Sequence, residues 1–401
     1  MIKPHPIAPL PLAQTELAQP IPSTGARSLS KVFFPNLDGL RFLAFFSVFL
    51  FHSFYTPDNK IIASTVYQVP FRLTRNGDLG VNFFFVLSGF LITYLLLSER
   101  KLTGRIAIGA FYMRRILRIW PLYFIVVFIG FVVLPWAKMH FGQHTLQETA
   151  KPWLFCLFFV NFSDLYYGCQ TPTLALLWSV AVEEQFYVMW PLLVAAIPNH
   201  RLGWLFGGVI GMSLIFRFLH MDEFAVLNLH TCSLIGDMAL GGMVAWLCFR
   251  DDRLTDSVKD WPRWVIILGY VVGVALLVGR DSFFQLPGYV VVDRLILACF
   301  FAFVLLEQNY SQHSLVKMSQ FRWVSYWGTY TYGLYCLHFL ALLLAFQLMH
   351  RMGLNTTPWG VVLGDNAVGL ALALGISWLS FNFYEKPFLK LKNRFASLPT
   401  N

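Results

Sequence analysis

Charge is scarce in this sequence. Of its 401 residues only 13% are Asp, Glu, Lys or Arg, about half the roughly 25% usual in soluble domains. Apolar residues, counted without glycine, make up 57%. A soluble fold would have to leave much of that area in water, which excludes a soluble enzyme or carrier. The same composition excludes disorder or nucleic-acid binding as the main theme. The net charge of +9 does not restore nucleic acid as a partner, because the basic residues gather in short joints beside apolar runs. Cysteine is sparse too. Six residues show no CxxC pair and no His/Cys spacing of the zinc type, so no metal is expected. Cys156 and Cys169 share one polar-flanked segment, where they either pair in an oxidising compartment or remain apolar-packed thiols. The alternating strands of roughly ten residues that mark an outer-membrane barrel are missing. Residues 1–30 hold six prolines and no apolar core for a cleaved leader, and read as a disordered Pro-rich cytoplasmic tail.

What is abundant is the long apolar run. Ten occur, at 37–55, 78–98, 119–137, 177–198, 203–220, 232–249, 263–279, 288–306, 331–350 and 360–384. Each has roughly the 17–25 residues that cross about 30 Å of hydrocarbon as a helix. The expected fold is all-α, a polytopic transmembrane bundle of about ten spans filling 31–388, with a short basic tail at 389–401. A further apolar piece at 153–162 reads as re-entrant or interfacial; as an eleventh span it would move one terminus across the membrane. Lysine and arginine number 20 in one set of joints and tails and 7 in the other, which places both termini in the cytoplasm.

Ionisable side chains inside such runs cost about 2.5–3.5 kcal/mol each and are functional candidates by default. The first run, LDGLRFLAFFSVFLFH, carries Asp38, Arg41 and His52. Eleven residues at about 100° each bring His52 to within roughly 20° of the Arg41 direction, about 16 Å further along the axis. Asp38 belongs to the same stripe. The arrangement reads either as a snorkelling arginine and an interfacial histidine, or as a polar shaft with imidazole as base or nucleophile. In GVNFFFVLSGFLITYLLL, Gly80, Ser88 and Gly89 admit a close helix or a thin ligand. Arg114, Arg115 and Arg118 in FYMRRILRIWPLYF fit anionic-lipid anchoring, or a clamp for a phosphorylated cofactor. Glu183 and Glu184 in WSVAVEEQFYVMWP diverge by about 100° on a helix, so one is expected to pair with an arginine or hydrogen-bond the polar shaft and the other to face the interface. His338 is another buried imidazole candidate. Asp293 and Arg294 read as a local charge-balanced pair, and Asp237 has no assignable partner.

The stretches LDGLRFLAFFSVFLFH, GVNFFFVLSGFLITYLL, FYMRRILRIWPLYF, WSVAVEEQFYVMWPLL, YTYGLYCLHF and FYEKPF run in order from residue 37 to about 388. Together they resemble the membrane acyltransferase-3 family, whose bacterial members O-acylate cell-surface carbohydrates. The resemblance implies an acyl-CoA-dependent O-acyltransferase of the bacterial inner membrane, with acyl-CoA (above all acetyl-CoA) as co-substrate and a cell-surface or lipid-linked carbohydrate as acceptor. It implies His52, Arg41 and Glu184 as catalytic candidates, with Arg41 a partner of His52 or an acyl-CoA contact. Arg114, Arg115, Arg118, Ser88 and Gly89 follow as acyl-CoA contacts, and Glu183 and His338 as substrate contacts. Many relatives append an SGNH-type esterase-like domain; this sequence ends about 17 residues after its last span and is expected to lack it. The competing reading is a glycolipid transporter or flippase with a buried proton relay. No internal repeat supports it, and the polar motifs cluster in the first four spans.

Overall fold

The computed structural model describes residues 34–140, 147–283, 286 and 288–395. The expected tail at 1–30 lies outside the described residues, and the C-terminal tail is described only to residue 395. Among the described residues every regular element is helical. Each of the ten apolar runs overlaps a helix: α1 (Leu37–Ser53), α2 (Gly80–Thr103), α3 (Ile108–Phe128), α4 (Trp178–Ala196), α5 (Leu202–Leu219), α6 (Thr231–Arg250), α7 (Arg263–Phe283), α8 (Tyr289–Tyr310), α9 (Thr331–Arg351) and α10 (Asn366–Leu379).

Eight helical stretches among the described residues are long and apolar enough to cross a membrane, and the chain is an integral membrane protein. The two expected spans not among them are α1, only 17 residues long, and α4, which carries Glu183 and Glu184. These helices hold much of the unusual polarity. Their inner faces are nonetheless buried, with Phe45 and Val48 of α1 and Ala181 and Val182 of α4 fully enclosed. The apolar piece at 153–162 folds as short helices, Pro152–Cys156 and Val160–Tyr167, joined by a turn at Phe158, whose φ is +59°. Neither is long enough to cross. Cys156 and Cys169 are both free.

Packing at the centre rests on glycine. A β-carbon at Gly89 of α2 would collide with the Met238 carbonyl of α6, and one at Gly241 of α6 would collide with the Val86 carbonyl of α2. Small residues on both helices therefore bring the two backbones together. Buried charges staple the other side of the bundle. Arg217 of α5 pairs with Asp293 of α8 at 2.5 Å, and Arg294 of α8 pairs with Asp237 of α6 at 2.5 Å. Asp293 and Arg294 thus do not neutralise each other as expected. Adjacent helical residues point about 100° apart, so each reaches a different neighbour, and Asp237 gains its partner from α8.

Candidate active site

The joints at one end of the bundle enclose a cavity of about 710 Å³. His52 lines it with Asn82, Trp178, Arg294, Tyr335 and Phe339, and Arg75, Asp78, Asp164 and Arg280 contribute the charged part of its wall. His52 ends α1 in its last turn. Its ring stands against His338 of α9, with Nδ1 3.2 Å from the His338 Nε2. His338 is fully buried, and its Nδ1 lies 2.6 Å from the Tyr335 carbonyl. A carbonyl only accepts, so the His338 Nδ1–H donates to it and its Nε2 is left as an acceptor. The His52 Nδ1–H then donates to that acceptor. The His52 Nε2 keeps its lone pair, on a ring that lines the cavity. This fixes one tautomer along the whole chain and leaves the second nitrogen fit for proton abstraction or nucleophilic attack.

Two further donors point to ligand chemistry in the same cavity. Asn82 is 3% exposed and its Nδ2 has no hydrogen-bond partner. Arg294 is paired with Asp237 through one nitrogen, yet its Nε is also without a partner. Buried donors without acceptors are rare because each forfeits its hydration. Asn82 escaped the sequence reading, although an asparagine in an otherwise apolar run was a visible signal.

The arginines collect elsewhere. Arg41 pairs with Asp38 at 2.5 Å. Arg118 lies near enough to act electrostatically on Arg41, Glu183 and Glu385. Arg115 stacks over the rings of Phe111 and Tyr187 at 5.5 and 5.4 Å. Arg114 donates to the Phe395 carbonyl at 2.7 Å and pairs with Glu99 at 3.4 Å. Glu385 belongs to the FYEKPF stretch, and its part in this cluster was not foreseen. Glu184 receives a hydrogen bond from the Trp120 indole at 3.0 Å, while its other oxygen is buried without a partner. It does not face an interface, being only 6% exposed.

The polar shaft expected along α1 is interrupted. Phe45 and Val48 occupy the same stripe between Arg41 and His52, and both are fully buried. The polar line instead follows α4, where Ser179, Glu183 and Tyr187 recur at intervals of four residues and share one face. Ser179 shares a 2.6 Å hydrogen bond with Tyr335, which lines the His52 cavity. Glu183 accepts from Ser88 at 2.7 Å and from Tyr187 at 3.0 Å. Tyr187 lies under Arg115. Over about 12 Å of helix, this face runs from the imidazole cavity to the arginine cluster. Ser88 thus belongs to the line, whereas Gly89 is occupied by α6. No group of three or more His, Cys, Asp or Glu side chains that could hold a metal occurs among the described residues.

Over 383 residues the chain is 24% identical to a peptidoglycan O-acetyltransferase of Listeria monocytogenes, covering 90% of this chain and 56% of that protein. A putative O-acetyltransferase of Staphylococcus aureus is 25% identical, covering 89% of this chain and 58% of the relative. A putative peptidoglycan O-acetyltransferase of Bacillus subtilis is also 25% identical, at 88% and 55%. The chain therefore spans a little over half the length of these relatives. No solved structure matches it. The acyltransferase-domain family matches residues 34–381, nearly the whole described chain, and the protein belongs to this acyltransferase-3 family.

Proposed function

We propose that the protein moves an acyl group, in the first place acetyl, from cytoplasmic acyl-CoA to a hydroxyl of a cell-surface or lipid-linked carbohydrate. The observation that carries this reading is the α4 face that joins an arginine cluster to an imidazole cavity. Guanidinium groups suit the phosphates of a nucleotide coenzyme, and Arg41, Arg114, Arg115 and Arg118 are the candidates. The thin pantetheine arm then follows Tyr187, Ser88 and Glu183 toward Ser179 and Tyr335. The acceptor enters the His52 cavity from the opposite end. With the lysine and arginine asymmetry of the joints, the arginine end is cytoplasmic and the imidazole end faces outward.

His52 acts through Nε2. In direct transfer it takes the proton of the acceptor hydroxyl while that oxygen attacks the thioester carbonyl; the C–S bond breaks, the ester forms, and the proton passes to the departing thiolate. In the two-step form Nε2 itself attacks, the C–S bond breaks and coenzyme A leaves as the thiolate; the acyl-imidazolium is then opened by the acceptor hydroxyl, whose released proton balances that thiolate. Asn82 offers an N–H to the acceptor or to the developing oxyanion. His338 holds the His52 tautomer and is a positioning residue.

The test uses the full chain in proteoliposomes with acetyl-CoA and an oligosaccharide acceptor, reading ester formation by mass spectrometry. His52→Ala is expected to reduce transfer about 10²-fold or more with an unchanged melting temperature. Near wild-type ester formation by that variant would sink the assignment. Intact mass after acetyl-CoA alone separates the two routes, because only the covalent one leaves an acyl adduct on His52.

A further inference from the structure

A second cavity, of about 810 Å³, lies between α1, α7 and α8 and the short helix Thr65–Thr74. Its wall is mostly apolar, including Leu43, Leu50, Leu73, Val274, Val278 and Phe300. Leu73 and Val278 are 77% and 71% exposed; since Val278 belongs to a membrane-crossing stretch, the slot opens sideways into hydrocarbon. Two cations, Arg72 and Arg75, line the same slot. Arg75 and Asn76 also line the His52 cavity, so the two spaces adjoin at these residues. Asn76 donates to the Leu277 carbonyl of α7 at 2.8 Å, which fixes this junction against the helix. Nearby, Arg280 of α7 pairs with Asp78 at 3.2 Å.

From this adjacency we infer that the acceptor arrives on a lipid: a glycan joined through phosphate to one long apolar chain. The inference rests on the transferase reading above and specifies its acceptor. The chain lies in the slot, the phosphate meets Arg72 and Arg75, and the glycan reaches past Asn76 into the cavity beside His52. Three observations support this occupant, and the last two select it over an ordinary phospholipid. The slot is apolar along its length and cationic beside the junction, which complements a lipid phosphate. The space beyond the phosphate is about 710 Å³, within the roughly 300–1,000 Å³ of sites that enclose whole small molecules, and a phospholipid head group would leave most of it vacant. That space also carries the unpartnered Asn82 amide, a donor suited to a sugar hydroxyl. Binding the chain in the slot would hold a hydroxyl near Nε2 and make the encounter intramolecular.

The test is photolabelling of the full chain in phospholipid nanodiscs with polyprenyl phosphate bearing a diazirine on its chain. Labels are expected on the slot helices, displaced by unlabelled polyprenyl phosphate and not by an equal amount of phosphatidylglycerol. Replacing both cations (Arg72→Ala with Arg75→Ala) should lower labelling about tenfold or more. Val278→Trp should also lower it by filling the slot, with melting temperature checked for both variants. Equal labelling by a diazirine phosphatidylglycerol, or labels spread over the whole lipid-facing surface, would mean ordinary boundary lipid and overturns the inference. Thiol release from acetyl-CoA, measured in the same preparation after a polyprenyl-phosphate-linked oligosaccharide is added as acceptor, keeps the two claims apart. Thiol release without slot labelling removes only this inference, whereas slot labelling without thiol release keeps the site and removes the transferase reading.

Discussion

Two imidazoles in line divide one task between them. His338 has no opening to the cavity, and its value lies in accepting the His52 Nδ1–H while its own Nδ1–H is committed to the Tyr335 carbonyl. Its loss should therefore act on turnover more than on binding. His338→Ala is expected to lower kcat about 10- to 100-fold, the size of effect seen when a supporting hydrogen bond to a working histidine is removed, with KM nearly unchanged. His338→Gln, whose amide offers both a donor and an acceptor, should recover part of that rate. If the two variants behave alike, or if KM rises with kcat unchanged, His338 only fills space. Arg41 and His52 were legible in the sequence because each is a polar residue in an apolar run, related by helical geometry. Their partners were harder to see. Whether His338 meets His52 depends on how far α9 slides along α1, which is set by side-chain packing across the bundle and by no feature of either run alone.

At the level of helices, the apolar runs foretold a helix at ten places, eight of which fall in stretches long and apolar enough to cross a membrane, but not which of them carries the polar line. Ser179, Glu183 and Tyr187 stand four residues apart, a spacing as open to inspection as that of Arg41 and His52. The doubled glutamate drew attention to Glu183 and Glu184 as a pair, whereas the working relation is between Glu183 and the residues one turn away on each side. The ion pairs between helices were illegible for a related reason: Asp293 and Arg294 are neighbours in the chain and diverge in space. Arg217 anchors that region, donating to the Val291 carbonyl at 3.0 Å and the Ser233 hydroxyl at 2.7 Å besides its pairing with Asp293. Arg217→Met would leave a buried carboxylate uncompensated, at a cost of about 3–5 kcal/mol, read as a lower melting temperature in detergent. The double variant Arg217→Met with Asp293→Leu should regain much of the loss. A single variant as stable as the parent would show that the pair contributes little.

Across the whole molecule the two ends differ in kind, one built around clustered arginines and one around paired imidazoles. That polarity gives the proposed orientation a direct check. In a chain whose own cysteines are replaced by serine, with cysteine placed at Arg105 in one exposed joint or at Asp222 in another, a membrane-impermeant maleimide applied to intact cells should modify the Asp222→Cys variant and spare the Arg105→Cys variant. The reverse pattern would invert the assignment of the ends and the direction of transfer. The face of α4 has a consequence for energetics as well. Each turnover replaces a hydrogen on the outer hydroxyl by an acyl group and a thioester by a thiol on the inner side. If the displaced proton returns inward past Tyr335, Ser179, Glu183 and Tyr187 to the thiolate, acyl and proton exchange places and no net charge crosses the bilayer. Turnover in proteoliposomes would then be indifferent to an imposed potassium diffusion potential. A proton discarded outward would make every turnover electrogenic, shifting its driving force by about 2.3 kcal/mol per 100 mV, and the rate would follow the voltage.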